Sequence, residues 1–335
     1  MTLQNPSPGA SLLEVEGLSC EFEGAEGTAR VLDDIDLTLG RSTTLGLVGE
    51  SGSGKSMLIK SILGIAPRSA RVTGEVVFDG VSLGSLKERE RRKFLGRRIG
   101  IVFQNPMTSL NPYVRVGRQI EEAARYYFGL SKREGRALAV ELMATVGLPD
   151  PDECYSQYPH QFSGGMKQRI MIATALACKP DLLIADEATT ALDVTVQRQI
   201  LDLLQTIQHE RQMSMILVTH NLAIVAGRTD EAAVMYGGRI VERGPTEDLF
   251  RHPRHRYTEA LIAAIPRTDQ PAHTRLRTIP GRPPDKLRPI PGCPFAPRCP
   301  VAELRCVEST PNATRTAGGR HSFTCYVPVG PENAG

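Results

Sequence analysis

Most of what this chain can become is set by residues 44–62, TLGLVGESGSGKSMLIKSI, where an apolar run meets a glycine-rich turn that ends in a lysine and a serine. Gly49-Glu50-Ser51-Gly52-Ser53-Gly54-Lys55-Ser56 fills every fixed position of G-x-x-x-x-G-K-[ST]. Gly49, Gly52 and Gly54 permit backbone conformations that a Cβ penalises, so successive N–H groups can converge on one anion. Lys55 adds a point charge for outer phosphates and Ser56 a hydroxyl for Mg²⁺. Leu58, Ile59, Ile62 and Leu63 share one face of a predicted helix whose positive end then points at the nucleotide. A strand before the loop and a helix after it favour nucleoside triphosphate binding over a mere turn between core elements.

At 335 residues, 41% of them hydrophobic, the chain has room for a large core and an appendage. The formal charge of +3, from 40 basic and 37 acidic side chains, excludes a global basic field that would recruit nucleic acid. No run approaches the roughly 18 apolar residues that a spanning helix needs. The segment up to residue 11 is polar, without a secretory pattern, and reads as a disordered tail on a cytoplasmic chain.

Downstream, residues 12–39 read as an antiparallel strand pair, in which Phe22 can stack on an adenine ring or pack as plain core. Strands are expected at 74–78 and 99–103, around a charged run, 87–98, that reads as a solvated helix face. Gln104 follows the second strand, where a parallel strand delivers a side chain to a ligand. Residues 112–162 turn helical, an inserted subdomain, with Cys154 read as an incidental surface residue; Cys20 and Cys178 read as buried. Ser163 suits an N-cap for a helix predicted to run to Lys179. Gly164 and Gly165 leave that helix start uncovered, a second anion site best explained by the nucleotide of another copy.

The strand DLLIADE ends in two carboxylates: Asp186 can hold Mg²⁺, usually through water, and Glu187 can act on the attacking water as general base. A strand over 215–219 brings His220 to the same edge as a donor to γ-phosphate.

In this order the pieces resemble the nucleotide-binding subunit of ATP-binding-cassette (ABC) transporters. Walker A lies at 49–56, the Q-loop residue is Gln104, the signature spans 162–166, Walker B ends at Asp186, the D-loop is Ala191-Leu192-Asp193 and the switch histidine is His220. The resemblance implies an α/β P-loop ATPase cassette over 12–250, with an antiparallel β subdomain and an inserted helical subdomain. It also implies a head-to-tail dimer, each ATP lying between one copy's Walker A and the other's Ser163–Gly165. NPMTSLNP (105–112), YPHQFSGGMKQR (158–169) and the tail from His252 look like the dipeptide, oligopeptide and nickel importer branch. That implies two transmembrane permease subunits, a second and homologous ATPase subunit, an extracytoplasmic solute-binding protein, and a peripheral place on the cytoplasmic face of the membrane. Phe162, Ala188 and Asn221 depart from the family's usual Leu, Pro and Asp, without removing a phosphate, metal or base group.

Residues 251–335 are expected to form a small Cys-rich extension. After a proline-rich linker, 279–292, come Cys293, Cys299, Cys306 and Cys325, separated by 5, 6 and 18 residues. Four thiolates in a reduced compartment suit tetrahedral S₄ ligation of zinc or an iron-sulfur cluster. CPFAPRCP resembles the iron-sulfur-bearing tail of peptide-importer subunits, which favours [4Fe-4S] over Zn²⁺. His321 is expected to be a neighbour of this group.

Overall fold

The computed structural model describes residues 11–24, 27–104, 106–187, 193–266, 278–285, 287, 291–316 and 318–330. The expected tail up to residue 10, Asn105, Ala188 and the D-loop's Ala191-Leu192 lie outside them, as does part of the proline-rich linker. The chain divides into two compact units, one from residues 40–43 and 83–218, the other from 11–39, 44–82 and 219 onward.

In the second unit, a four-stranded sheet has the order Gly27–Gly40, Ser11–Gly24, Ala70–Phe78, Val81–Ser82. Ser11 thus opens a strand and does not belong to the expected tail. Alternation along Ser11–Gly24 buries Leu13, Val15, Leu18 and Cys20 on one face, matching the period-2 pattern of a half-buried strand. The register pairs Leu13 with Phe78 and Phe22 with Ala70, interrupted by a bulge between Glu16 and Ser19. Gly17 and Gly74 face each other there at positive φ, 56° and 102°, and a Cβ on Gly74 would lie 2.6 Å from the Gly17 carbonyl oxygen.

The same unit contains the strand Thr44–Val48, buried along its whole length and parallel to Glu231–Tyr236. Asp230 fixes the start of this pair: its Oδ2 accepts from both the backbone N–H and the hydroxyl of Thr44, each at 2.7 Å. Glu231–Tyr236 pairs antiparallel with Arg239–Pro245, which pairs with Ser322–Phe323 and through it with Thr314–Arg315. The C-terminal extension is therefore folded onto this sheet. Tyr236, Tyr257 and Phe295 form its aromatic centre, with ring centroids 4.4–5.4 Å apart.

The first unit has a parallel array of Ile99–Val102, Leu182–Asp186 and Ser214–Thr219. Buried apolar runs of this kind suit strands covered on both faces. Arg98 Nε holds Asp181 Oδ2 at 2.6 Å where the first two strands enter. Helices Val116–Phe128, Lys132–Thr145 and Gly164–Leu176 pack together in the helical region. The helix Glu88–Arg98 keeps most of its charges in solvent.

Two further expectations need correction. Cys154 is buried at 4% exposure, because the short helix Pro151–Cys154 turns its thiol inward to donate to the Pro149 carbonyl at 3.0 Å. The helix that Ser163 caps ends at Leu176 and not at Lys179, whose φ of 50° closes a turn by an N–H bond to the Leu176 carbonyl.

Candidate nucleotide-binding and hydrolysis site

The phosphate loop belongs to the second unit. The chain leaves the strand Thr44–Val48, turns, and enters the helix Lys55–Leu63, whose Leu58, Ile59, Ile62 and Leu63 are buried. Gly52 and Gly54 have φ of 80° and 111°, so the turn needs the left-handed conformations that glycine adopts without strain. At Gly49 the limit is space: a Cβ would lie 2.2 Å from the Met235 carbonyl oxygen. Ser53 N–H donates to the Glu50 carbonyl at 3.1 Å, and Gly238 N–H to the Ser53 carbonyl at 3.0 Å. Lys55 is only 5% exposed; its Nζ donates to the carbonyls of Gly49 and Glu50 at 2.7 and 3.0 Å. Ser51, Gly52 and Ser56 are exposed, and Phe22 is half-buried.

Glu50 is held from a distance in sequence. Its N–H donates to the Tyr257 hydroxyl at 2.9 Å, and its carboxylate receives both terminal nitrogens of Arg298, at 2.6 and 3.1 Å. Beside Glu50 the Arg298 guanidinium is raised further above its already high pKa. The sequence held no signal for this pair, since Arg298 stands inside CPFAPRCP as a lone cation among prolines and cysteines. His220 is exposed and directly follows Ser214–Thr219. Next to it Asn221 caps the turn Leu222–Val225, its Oδ1 accepting from Ala223 N–H at 3.0 Å.

In the first unit, Asp186 ends the strand Leu182–Asp186 and Glu187 leaves it with φ of 45°, a left-handed conformation costly for a residue with a side chain. Glu187 N–H still bonds the Val218 carbonyl at 3.0 Å, so the turn is pinned to the neighbouring strand. The side chain reaches Gln104, whose Nε2 donates to Glu187 Oε2 at 2.5 Å. The two strand ends therefore bring a carboxylate and an amide, 83 residues apart, into direct contact.

Ser163 caps the helix Gly164–Leu176 by accepting from Met166 N–H at 3.4 Å. Ser163 and Gly164 are exposed. Gly165 abuts the start of the helix Val194–Arg211, where a Cβ would meet a Val196 methyl at 2.9 Å. Asp193 spends its Oδ1 on capping that helix, accepting from Val196 N–H at 2.9 Å.

The four cysteines of the extension lie in one neighbourhood. Cys293 and Cys306 are buried and Cys299 and Cys325 half-buried, all as free thiols. Cys293 N–H donates to the Cys306 carbonyl at 2.8 Å. Burial pushes the Cys293 thiol up to about 11 and raises Cys299 and Cys325 as well. Backbone N–H groups oppose that rise, those of Phe295 and Ala296 at Cys293, that of Val301 at Cys299, and those of Val327 and Arg256 at Cys325. As they stand, no group of three or more His, Cys, Asp or Glu among the described residues has the arrangement of a metal site. His321 is engaged with Glu242, Nε2 to Oε1 at 2.7 Å.

Residues 32–190 match the ABC transporter family, and residues 241–306 match the oligopeptide/dipeptide transporter C-terminal region. The oligopeptide transport ATP-binding protein OppD of Salmonella typhimurium is 44% identical over 326 residues, 97% of this chain and 96% of the relative. A putative peptide import ATP-binding protein of Brucella abortus is 48% identical over 93% of this chain and 94% of its own length. The dipeptide transport ATP-binding protein DppD of Bacillus subtilis is 44% identical over 94% of each. Among solved structures, the dimeric ATP-binding cassette MJ0796, in a post-hydrolysis state with ADP and Pi, superposes with a TM-score of 0.63 at 26% identity. The alignment covers 70% of this chain and 98% of that one. No helix among the described residues is long and apolar enough to cross a membrane. With a cassette match, a C-terminal match and identities of 44–48% running through both, the chain belongs to the ABC transporter family, among the ATP-binding subunits of its oligopeptide and dipeptide transporters.

Proposed function

We propose that the chain hydrolyses ATP to drive peptide import, as a peripheral subunit on the cytoplasmic face of a membrane. Its partners are two transmembrane permease subunits, a second and homologous ATP-binding subunit, and an extracytoplasmic peptide-binding protein. The observation that carries the reading is sequence identity continuous from the phosphate loop through the C-terminal region, which distinguishes this branch from cassettes in general.

Roles follow from side-chain chemistry. The glycine-rich turn over residues 49–54 cradles the phosphate oxygens, and Lys55 supplies the point charge for the outer phosphates. Phe22 stacks on the adenine. Ser56 and Asp186 hold magnesium, which neutralises charge on the outer phosphates when bound, and Gln104 senses metal and water. Glu187 orients and deprotonates the attacking water, and His220 donates to the γ-phosphate. Ser163, Gly164 and Gly165 receive the partner subunit's nucleotide, and Asp193 fixes the helix beside them.

Cys293, Cys299, Cys306 and Cys325 fit a structural [4Fe-4S] cluster in preference to Zn²⁺. What supports this is the chemistry of the donors: four free cysteines in one part of the extension, and backbone N–H groups that favour the thiolate at three of them.

The test is transport by the purified complex in proteoliposomes. Supplying the binding protein with labelled oligopeptides should give ATP-dependent accumulation that Lys55→Ala abolishes. Accumulation of nickel or an oligosaccharide, with peptides inert, would overturn the solute assignment.

A further inference from the structure

We propose that the Cys-rich extension is a wall of the nucleotide site, and that Arg298 is a positioning residue which holds the phosphate loop in its anion-receiving shape. The proposal rests on the ATP reading above and extends it to a residue outside the loop, 248 positions from the one it contacts.

Glu50 is an awkward residue for its place. A loop built to receive a triphosphate carries a carboxylate next to Gly49, and an uncompensated negative charge there repels the ligand. Arg298 answers that charge with a two-pronged pair, the geometry in which a guanidinium holds a carboxylate most firmly. It is nearly enclosed, its side chain 4% exposed against 27% for Glu50, so the pair is screened far less than a surface one. Its remaining contacts pin it from the other side. Nε donates to the Pro280 carbonyl at 2.8 Å, one terminal nitrogen to the Ile279 carbonyl at 3.2 Å, and the other to the Tyr236 hydroxyl at 3.1 Å. Five bonds thus tie one guanidinium to the loop, to the linker and to the sheet.

Glu50 is also where the loop's internal bonding converges. Its carbonyl accepts from Ser53 N–H and Lys55 Nζ, and its N–H is held by the Tyr257 hydroxyl. A shift of its side chain therefore moves the lysine and the amides with it. Pro283 and Pro284 of the linker line a small cavity whose opposite wall is Glu50 to Ser53, so linker and loop are packed as neighbours. Arg298 directly precedes Cys299 and ends a short turn from Ala296. Whatever orders the cysteine neighbourhood also orders the clamp on the loop.

The experiment uses the assembled transporter and reads KM for ATP against kcat, with equilibrium binding of a fluorescent ATP analogue alongside. Arg298→Met should raise KM about tenfold with kcat within about threefold, because it leaves the Glu50 charge facing phosphate. Arg298→Lys should raise it about threefold, since a point charge replaces the fork. Glu50→Gln placed on Arg298→Met should recover most of the lost affinity, which general damage to the fold does not do. If Arg298→Met fails to assemble, the lysine variant carries the test. A KM within twofold of wild type for the variants that assemble, or no recovery in the double variant, overturns the proposal. Lys55→Ala separates the two readings. Loss of binding there with indifference at Arg298 leaves the ATP reading standing and removes this one; a wild-type complex that binds no ATP removes both.

Discussion

Replacing Glu187 by glutamine tests the chemistry and leaves the shape almost untouched. Glutamine is isosteric, it tolerates the backbone at φ 45° no worse than glutamate, and its Oε1 can still accept from Gln104 Nε2. What changes is charge. A charge-assisted hydrogen bond becomes a neutral one, a loss of about 1 kcal/mol if enclosed. With Gln104 exposed and Glu187 half-buried, solvent reduces that to a few tenths, on the order of a one-degree shift in melting temperature. Loss of a general base costs about 10²- to 10⁴-fold in rate, or about 3–5 kcal/mol of barrier. Phosphate release by the assembled complex should therefore fall at least a hundredfold, while nucleotide binding and melting temperature stay near wild type. Glu187→Gly separates strain from chemistry: relief of the left-handed backbone, about 1 kcal/mol, should hold or raise the melting temperature while turnover stays equally low. Turnover of Glu187→Gln within threefold of wild type refutes the assignment, and loss of ATP binding in parallel with turnover refutes the claim that the carboxylate acts only on water.

Other substitutions read other parts of the molecule. Gly49→Ala forces a Cβ to within 2.2 Å of the Met235 carbonyl oxygen and should destabilise by about 3 kcal/mol or more, seen as a large fall in melting temperature. Asp230→Ala removes the acceptor of two 2.7 Å bonds from Thr44 and should cost about 2–4 kcal/mol by the same measurement, with ATP affinity in the surviving folded fraction unchanged. Ser163→Ala should cost only about 0.5–1 kcal/mol, because its capping bond is long at 3.4 Å, yet lower hydrolysis severalfold in the assembled pair. Cys306→Ser should abolish the iron and acid-labile sulfide expected of anaerobically purified protein; zinc in stoichiometric amount, with no iron, would replace the cluster by its rival.

How much of this was legible in the sequence depends on the range of each interaction. The phosphate loop, the Ser163 cap and the strand ending in Asp186 are local, and their spacing alone announced them. The contact between Gln104 and Glu187 was legible only as two strand ends, because register between parallel strands is a tertiary matter. Cys154 misled because its acidic neighbours suggested solvent, whereas the turn Pro151–Cys154 rotates its thiol inward. The early end at Leu176 was hidden because Ala177 and Cys178 carry no stop signal, and the turn that ends the helix is closed by Lys179. Arg298 and Tyr257 were invisible for a different reason: each meets the loop across more than 200 residues, and nothing in their immediate surroundings distinguishes them from ordinary packing side chains.

The strand Arg239–Pro245 has one further consequence. Its outer side is taken by Ser322–Phe323, which in turn carries Thr314–Arg315. Trimmed of those residues, the strand would present a row of unsatisfied amides and carbonyls to any passing chain, the template from which intermolecular sheets grow. A version shortened to the cassette alone should therefore be recovered mainly as aggregate, however intact its phosphate loop. The extension acts in this sense as a built-in guard on solubility.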